Sequence, residues 1–333
     1  MASLPFGKRE GRWLPVQENR GSLLQQPLNL IWRRLSLEKV LEGHFIKEVL
    51  LAEIGRPLRT VLVEPNAPVP ILSNSLLVSF GTELANVLKE ARARGATNLG
   101  LLHMADEKGD DDRTFYGFAD YVLRNYWFKH AMASPGPHSL GVAWIPNGYR
   151  TGVGPISTQT MLPTAERKIM GFFAGALQSR TLAEERQSMA KAIRDGDLPF
   201  LIAETTSFGG GLGPVSYASY LSMSRFGLVP GGNSPETIRL YDVLEAGAIP
   251  MMLRSPFVDA PDALNNPPFA LLNTWAELPQ FYARYANGNA LETIAEIEKM
   301  RQEVVAWWKA FKTKHQMQVK ELVDRSFSRE AGK

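Results

Sequence analysis

One stretch decides the fold: SRFGLVPGGNSPETIRLYDVLEAGAIPMML, residues 224–253. Its first apolar run, FGLVP, is short and predicts a buried strand. A helix is then predicted to begin at Asn233 or Ser234, because both are good N-cap residues, and to end at Gly247, where a positive φ is wanted. The run AIPMML predicts a second buried strand. A strand, a helix and a strand of these lengths are the repeating unit of a parallel α/β sheet.

The same alternation runs along most of the chain, in two sets that meet near residues 145–155. Two such sets predict an α/β fold with two Rossmann-like domains. Strands are predicted at 59–65, 75–80, 98–104, 119–127, 139–146, 168–177, 198–204 and 269–273, and helices at 81–95, 179–196, 214–225 and 275–287. The predicted divisions are a flexible arm (1–25), an N-terminal domain (26–147), a C-terminal domain (148–300) and a helical tail (301–333) that packs back on the first domain.

Length and composition narrow the functional classes. A chain of 333 residues favours two domains, and 37 basic against 34 acidic residues give a net charge of only +3. This charge is too small and too dispersed to indicate a nucleic-acid partner. The absence of cysteine excludes disulfides, thiolate catalysis and zinc–thiolate sites. With no long apolar run and no signal-peptide pattern, we expect no membrane segment and a cytoplasmic protein, or a Golgi-lumenal one if the chain is trimmed.

The predicted helix of the opening stretch carries a second pattern. Glu236, Arg239 and Asp242 recur every third residue, so they share one helical face. The glycines at 231–232 leave backbone N–H groups that can face an anion at the helix N-terminus, and Arg239 can add a bidentate phosphate contact. The alternative is an ordinary capped helix with a charged surface stripe. Spacing alone favours this alternative.

Residues 224–253 resemble the C-terminal nucleotide-binding motif of exostosin-like glycosyltransferases. The matching residues are Ser224, Phe226, Leu228, Pro230, Gly232, Arg239, Asp242, Leu244, Ala246, Gly247 and Pro250. Upstream, RKIMGFFAGALQSRTLAEERQSM is similar to the first strand and helix of the same domain. LGLLHMADE, YVLRNYW and WIPNGYRTG are similar to segments of the branch that includes the ribitol xylosyltransferase. The resemblance covers residues 98–285, and residues 1–58 match no family.

The resemblance implies a GT-B fold, with two Rossmann-like domains facing across a cleft. It implies an inverting transferase that moves a sugar from a UDP-sugar to a glycan hydroxyl, with no obligatory metal or other cofactor, and the branch suggests xylose. In this family pattern Arg239 contacts the pyrophosphate and Asp242 the ribose diol. The donor-binding residues that it implies are Gly175, Arg180, Arg186, Gly232, Ser234, Glu236, Arg239 and Asp242.

Candidates for the catalytic base lie in HMADE, at the carboxyl end of a predicted strand, where ligands bind in open α/β sheets. Asp106 is the first choice and Glu107 the second, since inversion needs a base to remove the acceptor proton. Solvated carboxylates in a turn are the alternative, and a packed histidine is the favoured interpretation of His103. Residues predicted to face the acceptor or the cleft are His103, Arg124, Asn125, Tyr149 and Arg150, with core packing, ion pairing or solvation as the alternatives.

Three further possibilities stay open. GDDDR (109–113) contains the Asp-x-Asp pattern of metal-dependent GT-A enzymes, although a solvated loop is more typical of such a charge run. FGGGLGP (208–214) is either a mobile loop at the cleft edge or a plain connector. The protein could also be a non-catalytic nucleotide-sugar or glycan-binding protein of the same fold. This last possibility gains if Asp106 and Glu107 both point away from the cleft.

Overall fold

The first half of the chain forms a six-stranded parallel sheet. The computed structural model describes residues 26–33, 41–64, 66–133, 139–178, 183–206, 211–285 and 291–331. The strands are β1 (Leu28–Trp32), β2 (Leu58–Leu62), β3 (Ser75–Phe80), β4 (Leu99–Met104), β5 (Tyr121–Arg124) and β6 (Val142–Trp144), and helix α1 is Ala85–Ala93. They lie in the order β2-β1-β3-β4-β5-β6. The predicted arm at 1–25 lies outside the described residues.

The second half forms a five-stranded parallel sheet in the order β11-β10-β9-β7-β8. Its strands are β7 (Ile169–Gly175), β8 (Phe200–Glu204), β9 (Ser224–Leu228), β10 (Ile249–Leu253) and β11 (Ala270–Leu272). The helices are α2 (Ala183–Asp195), α3 (Pro214–Ser222), α4 (Ile238–Glu245), α5 (Pro256–Asp259) and α6 (Leu278–Tyr285). The predicted boundary at 147/148 falls between the two sheets.

Both sheets have the same winding. In each, the second strand lies on one side of the first strand, and the third and later strands lie on the other side. The strand order therefore reverses between β1 and β3, and again between β7 and β9. Crevices that bind ligands form at such reversals, beyond the carboxyl ends of the strands. Two Rossmann-like units in one chain confirm the predicted GT-B fold class, and they overturn the single-domain GT-A alternative.

A long C-terminal helix, α7 (Leu291–Ala331), joins the two units. Gln316 donates to the carbonyl of Val49 at 3.0 Å, and His315 packs edge-on against Trp144 with ring centroids 5.1 Å apart. The predicted return of the tail to the first domain is confirmed, although the helix begins ten residues before the predicted boundary at 301. Within the described residues, no helix is both long enough and apolar enough to cross a membrane.

Three local predictions differ from the structure. Strand β1 was not predicted, although all five of its residues are buried. A π-helical turn at Phe45–Leu50 was also not predicted. Helix α4 begins at Ile238 with Thr237 as N-cap, so the start predicted at Asn233 or Ser234 is wrong. The reason is that the segment before α4 is drawn into contacts with the first domain, which are described below.

Candidate functional site

Arg239 lies at the carboxyl end of the second sheet, beside the strand reversal. It projects from α4, donates to the carbonyl of Ala174 at 3.1 Å, and places its guanidinium 4.5 Å from the centre of the Phe173 ring. Gly175 ends β7 with φ +152°, and a Cβ at this position would lie 2.6 Å from Nη2 of Arg239. Only glycine therefore lets the arginine approach the end of β7 this closely.

Arg186 brings a second guanidinium to the same edge from α2. It donates to the carbonyls of Gly231 and Ala176, each at 2.9 Å, and its Nη2 would lie 3.1 Å from a Cβ at Gly232. Burial, and then repulsion from Arg239, lowers the pKa of Arg186 to about 10, so both arginines stay charged at neutral pH. Two partly desolvated cations beside each other favour an anion between them.

Two buried polar atoms at this edge lack partners. Among the described residues, Nε of Arg239 and Oγ1 of Thr237 are buried without a hydrogen bond. Thr237 is the N-cap of α4, where the helix dipole also favours negative charge. Both atoms can donate a hydrogen bond, so both are available to an anionic ligand at this edge.

The glycine N–H groups, in contrast, are already used. The N–H of Gly231 donates to Glu185 at 2.9 Å, and the N–H of Gly232 donates to the carbonyl of Ser234 at 3.0 Å. The Ser234 hydroxyl accepts the N–H of Glu236 at 3.2 Å. The N–H groups of both glycines thus have partners within the protein, whereas the Ser234 hydroxyl can still donate, and its contact with the donor stays a prediction. Arg180, also predicted at this site, lies outside the described residues.

Glu236 is buried and links the two domains, so it does not contact the nucleotide-sugar as predicted. Its carboxylate accepts hydrogen bonds from the backbone N–H of Trp127 (2.9 Å), the Trp144 indole (3.0 Å) and the Tyr241 hydroxyl (2.7 Å). Asn147 adds its backbone and side-chain N–H groups, both at 3.2 Å. Burial raises the pKa of Glu236 to about 7. These bonds hold residue 236 outside the helix, which is why α4 starts late.

Asp242 is also an interdomain contact. It accepts the backbone N–H and the Nε of Arg150, both at 2.8 Å, and burial raises its pKa to about 6. Asp242 is also 0% exposed and ion-paired with Arg150, so the predicted ribose contact is not supported. Arg150 is correspondingly held over the Tyr217 ring at 4.2 Å. Glu245 behaves alike, bonding the N–H of Ile156, the Trp308 indole and Lys312. The carboxylates of α4 and of the segment before it, Glu236, Asp242 and Glu245, therefore form a buried seam and not a surface stripe.

Glu107 reaches from the first domain towards the second. It follows β4 and is half-buried. The Tyr126 hydroxyl donates to its Oε1 at 3.3 Å, and the side chain of Asn233, in the loop after β9, donates to its Oε2 at 2.6 Å. Its charge also acts on Arg186. A carboxylate that follows β4 of the first sheet therefore lies near Arg186 and near the loop after β9 of the second sheet.

Asp106, the first choice for the base, has a structural role instead. It is 3% exposed, its Oδ2 pairs with Arg124 at 2.9 Å, and its Oδ1 accepts the N–H groups of Asp110 (3.0 Å) and Asp111 (3.3 Å). A buried, ion-paired carboxylate that holds its own loop has no free face for an acceptor hydroxyl. Arg124 is fully buried with it, so its predicted acceptor contact is also wrong.

The other predicted cleft residues pack inside the protein. His103 contacts Asp111 at 3.0 Å and the Tyr116 hydroxyl at 2.5 Å, and burial lowers its pKa, which confirms a packed histidine. Asn125 donates to Asn147 at 2.5 Å. Tyr149 contacts His44 at 3.2 Å and lines a separate cavity of about 510 Å³ against α7. None of these contacts is to a donor-site residue.

His103, Asp106 and Asp111 form the only metal-binding geometry within the described ranges, with candidate ligand atoms within 4.8 Å of one another. The Arg124 guanidinium already neutralises Asp106 at 2.9 Å, and a second cation there would be repelled. In the neighbouring Asp-x-Asp run, Asp112 accepts the N–H and hydroxyl of Thr114 at 2.9 and 2.8 Å. The donor set does not fit a divalent ion. Of the FGGGLGP run, residues 208–210 lie outside the described residues.

Two residues with unusual backbone conformations lie near Glu107. Seven described non-glycine residues have positive φ, and five of them are Asn or Asp, which tolerate it. The other two are Ala105 (φ +70°) and Tyr126 (φ +55°), which follow β4 and β5 and lie near Glu107. Strain of this kind concentrates at functional sites. Asn233 was not predicted as a site residue, since an Asn before a helix is usually structural. For Tyr126 the sequence favoured a sugar contact and core packing equally.

Comparison with protein families finds a match in the second half of the chain. Residues 213–328 match the family model described as RXYLT1 C-terminal domain. This match confirms the resemblance to the exostosin-like branch of the ribitol xylosyltransferase over that part of the chain. No curated protein matches the chain.

Two solved structures are also similar. Sucrose-phosphate synthase from Thermosynechococcus elongatus shares 13% sequence identity, with a TM-score of 0.46, over 90% of this chain and 99% of that chain. The GtfA/B complex shares 11% identity, with a TM-score of 0.40, over 74% of this chain and 58% of that chain.

Proposed function

We propose that the protein is an inverting glycosyltransferase that moves a sugar from a UDP-sugar to a glycan hydroxyl. The observation that carries this proposal is the arrangement at the cleft. Glu107 comes from the carboxyl edge of one sheet, and Arg186 and Arg239 come from the carboxyl edge of the other. A base on one side and cations on the other side are what a direct displacement needs.

Each group has one task in the displacement. The diphosphate of the donor lies against Arg239, Arg186 and the N-terminus of α4. There the unpaired Nε of Arg239 and Oγ1 of Thr237 donate hydrogen bonds to its oxygens. Glu107 accepts the proton of the acceptor hydroxyl while that oxygen attacks the anomeric carbon from the face opposite the diphosphate. The C1–oxygen bond to the diphosphate breaks, and the arginines take up the negative charge that the leaving group gains.

Xylose is the proposed donor sugar, because residues 213–328 match the RXYLT1 C-terminal domain. The two arginines supply positive charge at the diphosphate, so we propose turnover without a metal ion. The alternative, a non-catalytic binding protein of the same fold, is disfavoured because Glu107 faces the second domain through Asn233.

The test is donor-dependent stabilisation followed by turnover. UDP-xylose and other UDP-, GDP- and CMP-sugars are added separately, and the melting temperature is measured. A ligand at a hundredfold excess over its Kd stabilises the native state by about 2.7 kcal/mol, which is measurable. Release of UDP, with glycan acceptors and in EDTA, then measures turnover. Stabilisation by UDP-sugars with UDP release is expected, and no shift with any nucleotide sugar would sink the proposal.

A matched variant shows that any stabilisation comes from the proposed site. Arg225 lies at the amino end of β9, at the opposite edge of the same sheet, and is likewise partly desolvated. Arg239→Met removes the guanidinium and keeps an unbranched side chain of similar length. The donor should stabilise Arg225→Met as it does the wild type, and should stabilise Arg239→Met much less.

A further inference from the structure

We propose that Tyr126 and Asn233 position the carboxylate of Glu107, so that the base is aligned only when the edges of the two sheets meet. This inference rests on the proposed function, in which Glu107 is the base. It concerns two residues that do no chemistry themselves. Each donates one hydrogen bond to a different oxygen of the same carboxylate, Tyr126 to Oε1 at 3.3 Å and Asn233 to Oε2 at 2.6 Å.

Tyr126 is the fixed partner, from the same domain as Glu107. Burial, with the nearby charge of Glu107, raises its pKa well above the ordinary value, so its hydroxyl remains a donor at neutral pH. Its left-handed backbone is held by neighbours on both sides, since Asn125 bonds Asn147 at 2.5 Å and the N–H of Trp127 bonds Glu236 at 2.9 Å. The structure thus maintains a strained residue whose hydroxyl meets the base.

Asn233 is the conditional partner, from the other domain. It is exposed, in the loop between β9 and α4, and in the described chain its side-chain hydrogen bond goes to Glu107. That loop also carries Gly231, which Arg186 contacts at 2.9 Å. A change at the diphosphate site therefore reaches the base through three consecutive residues, 231–233. If the domains part, Glu107 loses one of its two constraints.

Two donors on two oxygens still leave the base functional. A carboxylate has about four acceptor positions, so each oxygen of Glu107 keeps a lone pair for the acceptor proton. What the two bonds remove is rotation of the side chain, and a reacting group displaced by about 1 Å can cost about a hundredfold in rate. We therefore expect the residues to affect the rate of the chemical step and not donor affinity.

The experiment is a double-mutant cycle. UDP release is measured while the sugar is transferred to an acceptor or to water, and kcat and the KM for the sugar donor are determined separately. Asn233→Ala and Tyr126→Phe should each lower kcat about tenfold, with donor KM within about twofold of the wild-type value. Asn233→Gln, which keeps the amide on a longer side chain, should recover part of the loss. In a Glu107→Gln background, neither substitution should lower kcat further, because the group that they orient is gone.

A matched control comes from another exposed Asn–Glu pair, in which Asn273 donates to Glu277 at 3.1 Å. Asn273→Ala should leave kcat unchanged. Losses of equal size with and without Glu107 would overturn the inference and assign the residues a structural role. A rise in donor KM with unchanged kcat would assign Asn233 to donor binding instead. Normal UDP release by these variants contradicts only this inference, whereas no UDP release by the wild type contradicts the proposed function.

Discussion

The two sheets share one topology, yet their carboxyl edges carry different chemistry. Both reverse strand order between their first and third strands. At the second sheet, the edge is built from glycines that admit two arginine side chains. At the first sheet, the loops after β4 and β5 contain non-glycine residues with positive φ, Ala105 and Tyr126, and present the carboxylate of Glu107. Topology thus determines where a site can form, and a few loop residues determine whether that edge presents arginines or a carboxylate.

The largest expected effects come from substituting two adjacent carboxylates separately, because we assign catalysis to one and structure to the other. Glu107→Gln should lower kcat by about 10² to 10⁴, the usual contribution of a general base, with the melting temperature unchanged. Asp106→Asn should instead lower the free energy of unfolding by about 3 kcal/mol, because it leaves Arg124 buried without its countercharge. Steady-state rates per folded molecule and chemical denaturation measure the two effects. If Asp106→Asn lowered kcat and left stability unchanged, Asp106 and not Glu107 would be the base.

The anion edge is expected to trade stability for binding. Arg239 is desolvated in the ligand-free protein, and burial lowers its pKa, so its charge costs free energy. Arg239→Met should therefore raise the melting temperature of the free protein slightly while weakening UDP-sugar binding about 10- to 100-fold. Calorimetric titration with UDP measures the affinity, and thermal denaturation measures the melting temperature. Unchanged binding would place the diphosphate elsewhere, and a lower melting temperature would make the arginine structural.

The sequence predicted most of the fold because apolar runs and helix signals are local. The alternation of strands and helices identified ten of the eleven strands and the α/β class. The start of α4 was wrong because Ser234, Pro235 and Glu236 have the right pattern for a helix start. Their actual conformation depends on Trp127, Trp144 and Asn147, about 90 to 110 residues earlier in the chain. No local pattern contains that contact.

The site was predictable in part for the same reason. Arg239, Arg186 and Gly175 lie near one another at the second edge, as the resemblance implied, and their role in donor binding stays a prediction. The choice between Asp106 and Glu107 depended on the conformation of the loop after β4, which begins at Ala105 with a left-handed φ of +70°. Alanine gives no signal of such a conformation. Asp242 has the family spacing, but its partner Arg150 comes from the connection between the domains.

A smaller effect tests the corrected role of Asp242. Asp242→Asn should lower the free energy of unfolding by about 2–3 kcal/mol, less than a fully buried pair would lose, because Arg150 is 19% exposed. Binding of UDP and of its 2′-deoxy analogue should change equally or not at all. Titration of both nucleotides against wild type and variant measures this. A loss confined to UDP would restore the ribose contact that the family pattern implied.

The smallest expected effect is the pH dependence of the seam between the domains. The native pKa of Glu236 is about 7 against an ordinary value of 4.5, so the folded state keeps this proton to higher pH than the unfolded chain. The free energy of unfolding contributed by this group therefore falls as pH rises through that window, by about 1–2 kcal/mol between pH 5.5 and 7. Asp242, raised to about 6, acts in the same direction, whereas His315, lowered to about 3, acts in the opposite one. The difference between wild type and Glu236→Gln isolates the carboxyl group, and urea denaturation at several pH values measures it. If that difference does not vary with pH, the hydrogen bonds to Glu236 outweigh its burial, and the carboxylate is charged throughout.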